Sequence, residues 1–202
     1  MMMKACVAGV MLSAAAIAVH AQEGTDADAL AQQLSNPVSA LISVPLQTNW
    51  DTGMGASGEG ERWTLNLQPV IPIGISEHWN LISRTIAPLI AQSDVVDDSS
   101  QSGLGDITQS LFFSPHEPTA SGWIWGVGPA LLLPTATDDL LGAEQWAAGP
   151  TAVMLKQTAT GWTYGALVNH LWSMAGEDDR ADLNATFLQP FVSKGLGQGM
   201  HV

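Results

Sequence analysis

Arg62-Trp-Thr-Leu-Asn-Leu-Gln-Pro-Val-Ile-Pro-Ile73 alternates with a period of two. Trp63, Leu65, Leu67, Pro69, Ile71 and Ile73 point one way, and Arg62, Thr64, Asn66 and Gln68 the other. Such alternation marks an extended strand with one apolar and one polar side. Just upstream, Ala40, Ile42, Val44, Leu46, Thr48 and Trp50 oppose Ser43, Gln47, Asn49 and Asp51 in the same manner. Six further segments follow at roughly 79–91, 104–114, 123–134, 146–156, 162–173 and 183–193, with weaker alternation. The reading is an all-β chain, an antiparallel up-and-down arrangement of about eight strands.

Composition narrows what such a chain can be. Of 202 residues, 46% are hydrophobic and only 12% are charged, so disorder is excluded as its main description. Six Lys+Arg against nineteen Asp+Glu give a net charge of −13, which leaves nothing to neutralise a row of phosphates and rules out nucleic acid. Residues 1–21 read as a secretory signal peptide: Lys4, then an apolar stretch from Ala5 to Val19, then the small-x-small site Val19-His20-Ala21. Cys6, the one cysteine, lies inside it, so the exported chain has no disulfide framework. Thr25 or Asp26 can cap a short helix running to Leu34, ended by Asn36-Pro37, which makes 22–37 a short helical N-terminal segment and 38–202 the barrel domain. The exported chain lacks a run of ~18 apolar residues, so a membrane would be crossed by strands of ~9–11 residues.

The connections alternate in character. Those at 52–61, 92–103, 135–145 and 174–182 read as long and acidic, and those at 74–78, 115–122 and 157–161 as short. In a meander, alternate connections share one end, so long loops and short turns separate, as they do in outer-membrane barrels. Tryptophan placement points the same way. Trp50, Trp63, Trp146 and Trp172 fall at strand ends beside the long loops, while Trp79, Trp123 and Trp162 start strands beside the short turns. Two belts of amphipathic rings suit two membrane–water interfaces. Ordinary core filling has no reason to send seven of eight tryptophans to strand ends. The recurring Gln68-Pro69, Gly128-Pro129, Gly149-Pro150 and Gln189-Pro190 suggest bends where a sheet curls.

Several stretches carry a resemblance: Asn36-Pro-Val-Ser-Ala-Leu-Ile-Ser-Val-Pro-Leu-Gln47, Leu65-Asn-Leu-Gln-Pro-Val-Ile-Pro72 and Trp79-Asn-Leu-Ile-Ser-Arg-Thr-Ile86. Gly103-Leu-Gly-Asp-Ile107, Trp123-Ile-Trp-Gly-Val-Gly-Pro129 and Leu133-Pro-Thr-Ala-Thr-Asp138 add to it. Together, from about Leu34 to Phe191, they resemble the bacterial outer-membrane β-barrels of the phenol meta-cleavage-pathway transporter family, whose members are sometimes labelled neuromedin U. The resemblance implies a transporter-like transmembrane barrel passing hydrophobic or aromatic compounds, with no catalytic residues to carry over. It also implies further strands beyond Gly199-Met-His-Val202, and hence a C-terminally truncated barrel.

Candidate sites are each weighed against a plainer reading. Gly53-Met-Gly-Ala-Ser-Gly58 matches a dinucleotide fingerprint, but Glu59 and Glu61 lead into a strand where a helix N-terminus is required, so it is a loop. Thirteen of the nineteen acids lie in or beside the long loops. Divalent-cation binding there is the sharp reading and a solvated loop surface the plain one, which charge runs adopt by default. Arg84 lies mid-strand, where facing lipid would cost ~2–4 kcal/mol, so it should point into the lumen. Gln47, Asn49, Arg62, Asn66, Gln68, Asn80 and Asp106 are the other lumen candidates, with an Arg84–Asp106 pair as the structural alternative to a permeation path. His78, His116, His170 and His201 show no metal-ligand spacing, and His170 and Ser173 are three apart and face opposite ways, which disfavours an enzyme.

The expectation is therefore an exported outer-membrane β-barrel that passes small, hydrophobic or aromatic molecules passively. It would be surrounded by lipid, with no catalytic residue, metal or cofactor. The alternatives are a secreted soluble β-barrel that binds a ligand, and an outer-membrane barrel without a pore or with acyl-transfer activity.

Overall fold

The computed structural model describes residues 24–197 and 200–201; the expected signal peptide, 1–21, lies outside the described residues. Helix α1 (Gly24–Leu34) precedes eleven strands. These are β1 (Leu46–Met54), β2 (Gly60–Leu67), β3 (Val70–Gly74), β4 (Trp79–Ser93), β5 (Ser100–Leu104) and β6 (Ile107–Pro115). Strands β7 (Trp123–Leu133), β8 (Gln145–Gln157), β9 (Trp162–Gly176), β10 (Asn184–Gly197) and β11 (Met200–His201) complete the sheet. Its order is β1-β2-β4-β6-β7-β8-β9-β10-β11, with β3 and β5 also on β4, and every pairing is antiparallel.

β2 and β3 are one run interrupted at Gln68-Pro69, and β5 and β6 one run interrupted at Gly105-Asp106, because both members of each couple pair with β4. Each of the eight segments read from the sequence falls on one of these runs. The sheet curls into a half-barrel. Among the described residues β1 does not pair with β10 or β11, so the sheet is open. Pro129 and Pro150 sit directly opposite each other in the β7–β8 ladder. Beside them strands approach closely: a Cβ on Gly149 would lie 1.8 Å from the His170 carbonyl oxygen, and one on Gly128 1.9 Å from that of Leu111. Only glycine fits where backbones come so near.

The inner face holds the core. Val70, Ile82, Phe112, Val153, Leu155 and Leu167 form one buried cluster, with Ile124 and Phe191 against it. Val38 belongs to the same cluster although it lies outside the sheet. The chain after α1 therefore crosses the inner face. Ser35 Oγ donates to Thr163 Oγ1 (3.2 Å), and Gln32 Nε2 donates to the Thr158 carbonyl (3.3 Å), tying this strap to the β8–β9 end. Asn36 Oδ1 accepts from the Val38 amide and turns the chain inward.

Two expectations change. The alternation over Ala40, Ile42 and Val44 is not sheet: only Ser43 bridges to Val70, and the first strand begins after Pro45. Ile42 and Val44 are exposed there, so a period of two needs a neighbouring strand before it becomes a ladder. The loop asymmetry is also smaller than read. The connections at the acidic end are 55–59, 94–99, 134–144 and 177–183, against 75–78, 116–122 and 158–161 at the other. Polar residues extend the strands, and Gly53, Gly55, Gly58, Asp94 and Asp97 take the left-handed conformations of tight turns.

Candidate functional site

Register settles which side chains share the inner face. Gln47, Asn49 and Asp51 lie opposite Asn66, Thr64 and Arg62; Arg62 lies opposite Gln92, and Asn66 opposite Pro88. Arg84 lies between Val70 and Ser110, and Asn80 opposite Ser114. Val70, Ile82 and Phe112 are core residues, so partners aligned with them also face inward. The inner face of β1–β6 therefore carries a band of polar side chains beside the apolar Val70, Ile82 and Phe112, and all eight candidates named from the sequence lie along that band or at its end.

Two hydrogen-bonded chains run across that band. Arg84 Nη2 donates to Gln68 Oε1 (2.5 Å), Gln68 Nε2 to Gln47 Oε1 (2.9 Å), and Gln47 Nε2 to Asn49 Oδ1 (3.1 Å). Nearer the acidic end, Arg62 Nε donates to Gln92 Oε1 (2.8 Å), Gln92 Nε2 to Gln101 Oε1 (2.8 Å), and Gln101 Nε2 to Ser99 Oγ (2.7 Å). Gln68 and Gln92 are buried. Each amide accepts on one side and donates on the other, so the guanidinium charge is solvated by dipoles. Asn80 Oδ1 lies 2.7 Å from His116 Nε2 at the short-turn end. Asn66 makes no side-chain hydrogen bond among the described residues.

Asp106 has a different task from the one expected. Its carboxylate accepts from the backbone amides of Ala136 (3.2 Å) and Ala143 (2.6 Å), anchoring the 134–144 loop. The Arg84–Asp106 pair considered from the sequence is not made. Among the described residues the one ion pair is Arg180 Nε to Glu144 Oε2 (2.7 Å), joining the 134–144 and 177–183 loops. Partial desolvation pushes the Glu144 carboxyl above its usual range; Arg180 opposes this, and Asp139 and Glu177 add to it. Glu144, Asp138, Asp139 and Glu177 line an open acidic cleft beside Trp146, but among the described residues no group of His, Cys, Asp and Glu has metal-holding geometry.

The outer face carries the tryptophans. By register all eight tryptophans point away from the core. Trp50 and Trp63 are cross-strand partners stacked at 5.2 Å, and with Trp146 and Trp172 they stand at the acidic end. Trp79, Trp123 and Trp162 stand at the short-turn end, where Trp125 meets Trp79 edge-on at 5.8 Å and Tyr164 meets Trp123 at 6.0 Å. Between these rows the outward residues include Leu65, Leu89, Val127, Leu131 and Val168. Sequence reading missed the lysines of this end: Lys156 Nζ lies 6.0 Å from the Trp123 ring centre and Lys194 Nζ 5.4 Å from that of Trp162. It also missed Gln92 and Gln101. Their signal was parity, since Gln92 is an even number of residues from Arg84 along one strand.

Comparison of this chain with protein-family models, curated proteins and solved structures finds no match.

Proposed function

We propose that this protein is the wall of an outer-membrane β-barrel that lets small, hydrophobic or aromatic molecules pass, as its resemblance to the phenol meta-cleavage-pathway transporter family implies. The observation that carries the reading is the arrangement of the eight tryptophans. All lie on the outward face, and seven stand in two rows at opposite strand ends with apolar side chains between them. Indole rings favour the membrane–water boundary, and two rows correspond to the two boundaries of one bilayer. Lys156 and Lys194, each over a tryptophan, extend apolar stems along that face and carry the ammonium groups toward headgroups.

The same arrangement weighs against a soluble ligand-binding barrel, whose outward face would be polar. Passage would follow the inner face, with selection by the width and polarity of the wall and no bond made or broken. The test is expression of the full chain with its N-terminal segment, followed by gel mobility of the outer-membrane fraction before and after boiling. A heat-dependent shift in that fraction is expected of a folded barrel. Recovery of the folded chain as a soluble periplasmic protein overturns the reading.

A further inference from the structure

From the inner wall we infer that Arg84 is a binding point for an organic anion, and that the solute class of the proposed passage is a carboxylate with an apolar body. The inference rests on the passage reading above and adds the headgroup chemistry. Arg84 projects from the middle of β4 onto the inner face, between Val70 and Ser110. Its one side-chain hydrogen bond goes to the neutral amide of Gln68, which in turn leans on Gln47 and Asn49. A guanidinium has five N–H donors in a planar fork that fits a carboxylate in bidentate fashion.

In a chain with nineteen acids and six Lys+Arg, a wall cation would ordinarily find an acidic partner. Among the described residues Arg84 finds none, because the inner wall withholds its acids. Asp51 lies opposite Arg62, near the acidic end, and Asp106 is engaged by two backbone amides. A half-buried cation held without a counter-charge is costly, so a chain that keeps one at this place favours an anion arriving there. The acidic loops do not cancel that attraction. From Arg84 to Ser93 at the loop end is roughly 30 Å of strand, several Debye lengths of about 8 Å at physiological salt. On the same face of β4, Ile86 and Ile90 share the parity of Arg84 and are half-buried, an apolar surface for the rest of the molecule.

The test uses the full-length chain folded in phosphatidylcholine vesicles, with phenylacetate as the anionic probe and phenethylamine as its cationic counterpart. Phenylglyoxal, which modifies accessible arginines, is applied with and without each probe, and the site is read by mass spectrometry. Phenylacetate is expected to slow modification of Arg84 at least several-fold, with phenethylamine having no effect. In planar bilayers phenylacetate should block the chloride and potassium current. Arg84→Gln should weaken that block about tenfold and Arg84→Lys less, because lysine keeps the charge without the fork.

Equal protection of Arg84 by both probes, or none by either, overturns the anion site, and the labelling needs no variant that might fail to fold. Protection without any current keeps the site and overturns passage. Current that phenylacetate blocks equally in the wild type and in a folded Arg84→Gln variant keeps passage and overturns the role of Arg84.

Discussion

Strands β1–β6 and strands β7–β10 carry similar apolar residues outward and share one buried apolar cluster inside, but they differ in the polar chemistry beside it. The first set presents Gln47, Asn49, Arg62, Gln68, Arg84, Gln92 and Gln101, linked by amide-to-amide hydrogen bonds. The second buries Val153, Leu155, Leu167 and Leu171, with Gly126, Gly128 and Ala130 where strands and strap approach, and its inward Thr151 and Thr163 bond to the Val168 carbonyl and to Ser35 and Gln157 rather than to a relay of amides. A shared exterior with a divided interior fits a wall whose outside meets one solvent all round.

If the β7–β10 wall is held by close packing, truncating its centre should cost most. Leu155 is fully buried and touches the strap through the cluster that includes Val38. Leu155→Ala should lower stability by about 2–5 kcal/mol, the usual range for a buried leucine that leaves a cavity. The measurement is the urea midpoint of the heat-modifiable form, with an unchanged slope. A loss below about 1 kcal/mol would mean that the half-barrel keeps its shape through its ladder alone, and the contrast between the halves would lose its energetic meaning.

The shared exterior is tested at Val168, outward on β9 and 37% exposed. In a bilayer, Val168→Arg near mid-strand should cost about 2–4 kcal/mol. On a water-facing sheet such a surface change stays within about 0.5 kcal/mol. Comparing the variant's unfolding in vesicles and in micelles separates these cases. The small value in vesicles would show that the outer face of this half meets water, and the two halves would then differ outside as well as inside.

The division inside was half legible in the sequence. Parity along Arg62–Gln68 and Gln47–Asp51 groups Arg62, Thr64, Asn66 and Gln68 and groups Gln47, Asn49 and Asp51, and the β1–β2 register sets these two groups on one face. The second half hid its faces. Glycines and alanines at 126, 128, 130, 147, 149 and 152 carry little hydropathy contrast, so close approach of backbones left no periodic signal. The strap was illegible for another reason. Ala40, Ile42 and Val44 alternate like a strand, yet Asn36 and Pro37 steer the chain into the interior, and only tertiary packing of Val38 reveals that. Asp106 shows the same limit at the candidate site: its residue type suggested a lumen charge, whereas two backbone amides thirty and more residues away claimed it.

The smallest expected effect concerns how the polar wall is held. Gln92 is buried and sits between Arg62 and Gln101, accepting from one and donating to the other. Gln92→Leu keeps the approximate volume and removes both bonds, leaving the Arg62 Nε–H and the Gln101 carbonyl oxygen without their partner. That should cost about 1–3 kcal/mol, the penalty for stranding buried polar groups. The double variant Arg62→Leu/Gln92→Leu removes the stranded cation as well, and should recover part of the loss, because an apolar replacement of a buried polar pair is often close to neutral. Stability of both variants and of Arg62→Leu alone, measured by urea titration, gives the coupling between the two residues directly. Simple additivity would show that Arg62 is solvated independently of Gln92, and the amide relay would then be a geometric coincidence. A coupling above about 0.5 kcal/mol would make the relay the means by which the polar half keeps its arginine on the inner face.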